Sequence, residues 1–333
     1  MKINRFKFSL VFLVFMAILV SCGGGSSPGS EEGSDLGGGS GSGISGLNGL
    51  ITFEEHDVVN EDVGVISFEL SKGNHEQGFT VVTGKFPYRH PNGKVVYSQK
   101  CGRSSLDTKI SVVDTNGLIT PITPCITELS NTMSLPYYEY AKLSPDESMI
   151  AVEVVHGVNK SSIDERMYSI FVYDLNGQEI ERFSHFNSPE WLPDGRLMLL
   201  GSKEGSYGIY TTDYNLKNIS QLDTGNRINS PIINADVSPS GEKVIFEYSK
   251  QIWMMNMDGT GLEALIRGNT TLVSPTWSPD GKYIAYLSSF ARNTYHPVIY
   301  FYDVRSKSIY QINTNKIFSG NGKSPRGPVS WTK

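Results

Sequence analysis

Three kinds of residue pattern in this chain have the types and spacing to do chemistry. Asp114-Thr115-Asn116-Gly117 and Asp174-Leu175-Asn176-Gly177 begin like calcium loops, in which spaced acidic oxygens and a glutamate at the twelfth position surround the ion. Gly25-Ser26-Ser27-Pro28-Gly29 matches a nucleophile elbow, a strained strand-to-helix turn that exposes a serine hydroxyl. The six histidines, His56, His75, His90, His156, His185 and His296, are the residues most often found as metal ligands and general bases.

None of these patterns has the context its chemistry needs. The Asp-x-Asn-Gly phrases recur at one place in a repeat, without spaced acids or flanking helices, and read as hairpin turns. The Gly-x-Ser-x-Gly match lies in a Gly/Ser run where no strand–turn–helix can form. The histidines never occur as His-x-His, and each reads as a surface or turn residue. No catalytic residue, metal or cofactor is assigned.

The elements around them come from a repeat. His90-Pro91-Asn92-Gly93-Lys94-Val95-Val96-Tyr97 recurs at Ser144–Ala151, Leu192–Leu199, Ser238–Ile245 and Ser278–Ala285. Proline presets the second turn position, Asp or Asn suits the third, Gly closes the turn and a β-rich strand follows. Downstream of each copy comes a second strand ending in a polar turn, then a short third strand. The unit is four antiparallel strands (a, b, c, d), with no helical period between units, which is a propeller blade.

Five units are complete. Gly327-Pro328-Val329-Ser330-Trp331 aligns with Ser188-Pro189-Glu190-Trp191 and Ser274-Pro275-Thr276-Trp277, so it reads as a strand a without its blade. Leu50–Phe53, Val63–Glu69 and Phe79–Val82 supply b, c and d. Joining the halves predicts an all-β fold, a six-bladed propeller over 50–333 closed by the last strand, which removes the exposed edges of an open array. Trp191, Trp277 and Trp331, at equivalent positions, read as packing between blades.

The first residues are Lys2, Arg5 and Lys7, then an apolar run from Phe8 to Val20. That run is too short to cross a hydrocarbon core of ~30 Å as a helix, so 1–21 reads as a signal peptide. Leu19-Val20-Ser21-Cys22 resembles the bacterial lipobox, which implies that Cys22 is acylated and anchors the protein to a membrane. Gly at 23, where Asp would signal inner-membrane retention, implies the outer membrane. The Gly/Ser-rich stretch 22–49 reads as a flexible tether.

Removing the three basic residues with the signal takes the formal charge from −5 to −8. With no block of basic residues left, nucleic-acid binding is excluded. In an oxidising compartment the two remaining cysteines, Cys101 and Cys125, are expected to pair.

Trp277-Ser278-Pro279-Asp280-Gly281-Lys282-Tyr283-Ile284-Ala285-Tyr286 and its echoes resemble the repeat of TolB-type propellers, also seen beside prolyl oligopeptidases and in oligogalacturonate lyases. The resemblance spans residues 50–333. It implies a propeller that binds envelope partners, although the α/β domain that precedes the propeller of TolB itself has no counterpart here. The peptidase relatives place their catalytic serine in a separate hydrolase domain, and the lyases use a histidine-rich metal site that this sequence lacks.

In such a blade the a–b and c–d turns share one face, the turn face. The long segments 100–108, 126–140, 156–167, 223–233, 289–297 and 313–327 share the other, the loop face, which reads as the working surface. Its candidate recognition residues are Tyr137, Tyr138, Tyr140, Arg227, Arg292, Tyr295, His296 and Arg326, since Tyr and Arg dominate interface energetics; for the tyrosines, packing onto the rim is the competing reading. The functional expectation is an envelope-located scaffold recognising a protein, peptide or glycan. The alternative is a carbohydrate-active, lyase-like enzyme using the central channel.

Overall fold

A computed structural model describes residues 47–333 apart from 58–61, 72–73, 76–78, 103–106, 127–136, 157–166, 226, 229–231, 269–270, 289–297 and 312–322. The signal segment, Cys22 and nearly all of the tether lie outside the described residues, as do Arg292, Tyr295, His296 and most of the long loop-face segments.

The described chain is a ring of six antiparallel sheets. The first blade holds β1 (Gly49–Asp57), β2 (Asp62–Ser71), the short β3 (Asn74–His75) and β4 (Phe79–Thr83). Blade 2 is β5 (Lys85–Arg89), β6 (Val95–Lys100), β7 (Thr108–Val113) and β8 (Ile119–Pro121). Blade 3 is β9 (Tyr137–Leu143), β10 (Met149–His156), β11 (Met167–Asp174) and β12 (Glu179–Ser184). Blade 4 is β13 (Phe186–Trp191), β14 (Leu197–Lys203), β15 (Ser206–Thr212) and β16 (Ile219–Gln221). Blade 5 is β17 (Ile233–Val237), β18 (Lys243–Tyr248), β19 (Gln251–Asn256) and β20 (Glu263–Ile266). Blade 6 is β21 (Leu272–Trp277), β22 (Tyr283–Ser288), β23 (Val298–Asp303) and β24 (Ile309–Gln311).

The last strand, β25 (Lys323–Thr332), pairs with β1 and is the strand a that blade 1 lacks. Leu50 faces Thr332 and Ile51 faces Trp331, so the ring closes as the sequence predicts.

Side-chain chemistry explains the turns. In blade 6 the Ser278 hydroxyl donates to Asp280 at 2.7 Å and accepts the Tyr283 amide at 2.9 Å, while Gly281 takes φ +70°. In the c–d turns, Asp114 accepts the amides of Asn116 and Leu118, both at 2.8 Å. Asp174 does the same for Asn176 and Gln178. The calcium-like phrases are therefore hairpins whose aspartates hold their own backbone.

Apolar burial follows the ring. Six clusters occupy the six boundaries between neighbouring blades, from Val65 with Val95 and Tyr97 between blades 1 and 2 to Phe301 with Phe53 and Trp331 between blades 6 and 1. Trp191, Trp277 and Trp331 are all buried. The indole N–H of Trp191 donates to the Lys142 carbonyl of the preceding blade at 2.8 Å, and that of Trp331 to the Asn48 carbonyl at 2.9 Å.

Candidate functional site

The six inner strands converge on a central cavity lined by Phe86, Tyr140, Lys142, Ser188, Asp236 and Thr276 among others. The a–b pair of every blade carries a register shift at the same height. A bulge of this kind bends a strand and re-aims one side chain. Among the described residues, four blades have a bulge residue with a left-handed backbone, with φ 49° at Phe86, 46° at Ser188, 49° at Asn234 and 53° at Ser274. Those four residues all line the cavity.

The strain is braced in alternate blades. Glu54 of blade 1 accepts the Phe86 amide at 2.9 Å, Glu153 of blade 3 the Ser188 amide at 2.6 Å, and Glu247 of blade 5 the Ser274 amide at 2.5 Å. Each carboxylate sits on a strand b and reaches the strand a of the next blade. The equivalent positions of blades 2, 4 and 6 are Ser98, Leu200 and Leu287. Glu247 also accepts from the Asn234 side chain at 2.6 Å.

Two residues beyond each bulge lies a second ring, Tyr88, Lys142, Glu190, Asp236, Thr276 and Ser330, one residue from each blade. The Lys142 ammonium is bonded to Glu190, lies 4.0 Å from Asp236 and sits 5.2 Å from the centre of the Tyr88 ring. Asp236 accepts the Trp277 amide at 2.6 Å and the Thr276 hydroxyl at 3.0 Å. Ser330 accepts the Arg89 amide at 3.0 Å.

Burial and crowding set the protonation of these groups. Burial, reinforced by Asp236, pushes Glu190 up to about 8 although Lys142 pulls the other way. Burial also raises Asp236. Lys142 is raised because the two carboxylates outweigh its own desolvation. Burial drives Glu153 well above the usual carboxylate range, and Glu139 adds to the shift. Burial brings Glu247 to about 7. Two acids share one lysine here, so the ring retains protons near neutrality.

The space left is small. The cavity measures ≈ 50 Å³, room for a few waters and far below the ~300–1,000 Å³ of small-molecule sites. Hydrogen bonds and ion pairs among the inner rings leave little open space between them.

The recognition residues expected from the sequence scatter. Tyr140 is in the channel wall, 5.1 Å ring to ring from Phe86. Tyr138 is buried between blades 2 and 3 with Val96, Ile110 and Ile150, so it packs the core and has no free surface for a ligand. Tyr137 is half-buried. Arg227 is exposed and donates to the Thr224 carbonyl at 2.9 Å. Arg326 lies on β25 opposite Glu54. The structure therefore does not gather the described members of this set into one site. Cys101 and Cys125 are disulfide-bonded, with Cα atoms 5.9 Å apart.

The channel rings do not stand out in the sequence as a cluster of His, Asp, Glu or Arg, because their members come one from each blade. The available signal was the residue between Pro and Trp in the strand-a phrase, which gives Glu190 and Thr276 directly.

No protein-family model matches the chain. An uncharacterized protein of Agrobacterium fabrum, Atu1656, is 26% identical over 151 residues, 38% of this chain and 50% of that protein. Dipeptidyl-peptidase 5 of Porphyromonas endodontalis is 31% identical over 110 residues, 28% of this chain and 16% of the peptidase. The Tol-Pal system protein TolB of a Polaromonas species is 38% identical over 53 residues, 16% of this chain and 12% of TolB. The chain thus spans half or less of the length of the curated relatives it matches.

Among solved structures, Kuenenia stuttgartiensis hydrazine synthase matches with TM-score 0.56 and 14% identity over 85% of this chain and 48% of that one. A chain of a nidogen/laminin complex matches with TM-score 0.54 and 12% identity over 86% and 98%. These likenesses establish the propeller fold. The local match to TolB over 53 residues adds that part of the repeat is similar to that of a TolB propeller.

Proposed function

We propose that this chain is a lipid-anchored binding propeller of the bacterial cell envelope, held to the outer membrane through Cys22 and recognising a protein, peptide or glycan with its loop-bearing face. The single observation that carries this reading is the filled channel, only ≈ 50 Å³. A cavity of that size is too small to take in a sugar chain, which supports recognition by a surface presented by the ring. The similarity to TolB, a Tol-Pal system protein, supports an envelope setting.

Capture from crosslinked envelopes tests the proposal, using the native chain beside a variant with 127–135 replaced by Gly/Ser. A partner held by the native chain and lost in the variant supports recognition by this face. Equal capture by both refutes the loop assignment. No protein partner, together with turnover of an envelope polysaccharide, would overturn the binding reading in favour of catalysis.

A further inference from the structure

Seven large hydrophobic side chains are exposed among the described residues, and five of them, Leu118, Ile119, Leu175, Ile180 and Tyr214, lie at or beside c–d turns of blades 2, 3 and 4. Leu118 is 66% and Tyr214 70% exposed. The three outer edges adjoin. A Cβ at Gly177 would collide with the Ile122 carbonyl of blade 2, and Lys217 of blade 4 reaches Glu181 of blade 3 at 2.5 Å. Together they form a row of exposed apolar side chains on the turn face, opposite the long loops, interrupted by the Lys217–Glu181 ion pair and with the Arg196 guanidinium 5.7 Å from the Tyr214 ring.

The chain enters the ring on this same face. Strand a ends at the turn face, and Leu50 pairs with Thr332 at that end. Leu47 is buried against the blade 1 core, and the Asn48 carbonyl accepts from Trp331. The entry point is therefore fixed at the turn face. Between Cys22 and Leu47 stand 24 residues, mostly Gly and Ser, a composition whose end-to-end reach is roughly 25–30 Å.

We infer that the turn face rests on the lipid surface to which the chain is anchored, with Leu118, Leu175, Ile180 and Tyr214 entering the headgroup region. This inference rests on the acylation of Cys22. An anchor that already confines the ring near the bilayer supplies a high local concentration, so a few shallow apolar side chains suffice to bias orientation. The loop face then points away from the membrane, where a partner can reach it. The charges of the turn face favour a zwitterionic surface, because Lys94, Arg196 and Lys282 are engaged by its own carboxylates and turn aspartates such as Asp114 and Asp213 remain ionised.

The test uses the full acylated chain reconstituted in vesicles of brominated phosphatidylcholine, with a tryptophan reporter introduced as Tyr214→Trp or, on the b–c hairpin side, Tyr207→Trp. Quenching of the added fluorescence is expected to be at least twofold greater at 214 than at 207. In a Leu118→Ser/Leu175→Ser/Ile180→Ser background it should fall to the level seen at 207. Equal quenching at both positions on an acylated chain would overturn the orientation alone. Mass spectrometry showing an unmodified Cys22 would overturn the anchor and this inference together.

Discussion

Glu153 accepts the backbone N–H of Ser188 at 2.6 Å across the boundary between blades 3 and 4, and Ser188 is held there at φ 46°. A left-handed backbone at a non-glycine residue costs on the order of 1–3 kcal/mol, and a buried amide without a partner costs about as much again. The carboxyl group offsets both. Glu153→Ala should destabilise the propeller by about 2–4 kcal/mol in urea unfolding, whereas Glu153→Gln, which keeps an acceptor oxygen, should cost less than about 1.5 kcal/mol.

Stability should fall as pH rises from about 5 to 8. The folded values of Glu190, about 8, and Glu247, about 7, lie above those of an unfolded glutamate. The folded state then binds more protons in that window, so stability is full below the unfolded value and is lost as pH rises through the folded one. Glu190 alone sets an upper bound of about 5 kcal/mol by this linkage. Urea midpoints at pH 5.5 and 8.0 check it, and Glu190→Gln with Glu247→Gln should flatten the difference. A midpoint that rises with pH would sink the assignment.

Lys142→Met should destabilise more at pH 8.0 than at pH 5.5. Lys142 is bonded to Glu190 and lies 4.0 Å from Asp236. Without it the two carboxylates confront each other, and removing one partner of a buried pair costs about 3–5 kcal/mol when the remaining charge persists. At the lower pH the carboxyls take up protons and the loss shrinks. Chemical denaturation of the single variant at both values reads the effect.

Two glycines with nearly the same backbone separate strain from collision. Gly117 has φ +85° and open space around a Cβ, whereas at Gly259, φ +87°, a Cβ would run into the Asp223 carbonyl oxygen. Gly117→Ala should cost about 1 kcal/mol, the conformational penalty alone. Gly259→Ala should cost clearly more, since the c–d turn of blade 5 must move off the Asp223 backbone. Thermal midpoints of the pair measure the gap.

Trp331→Ala should cost about 3–5 kcal/mol. The indole is buried against Phe301 and Tyr283, and its N–H holds Asn48, so the loss includes packing and the seam of the ring. Near-ultraviolet dichroism with urea titration would show it.

The fold was legible because its signals are local and repeated. Ser278-Pro279-Asp280-Gly281 announces a hairpin by its own hydrogen bonds, and Trp191, Trp277 and Trp331 mark a fixed register. The channel was not legible as a cluster, since Lys142, Glu190 and Asp236 are 48 and 46 residues apart in turn and meet only when three blades close on one axis. Tyr138 and Tyr140 illustrate the other difficulty. They are two positions apart, yet a bulge between Val152 and Val154 in the pairing of β9 and β10 sends one into the core and the other into the channel. Simple alternation along a strand would have placed both on one side.

The pairing of β1 with β25 means that the first strand of the ring waits for the last. During synthesis, Gly49–Asp57 is made about 270 residues before its partner Lys323–Thr332, and until then blade 1 presents an open strand edge of the kind that invites pairing with other chains. The long sequence separation also makes closure slow. Assembly of this propeller therefore behaves like a clasp fastened at the end, and a holding factor that shields the waiting edge would act on the first blade rather than on the finished ring.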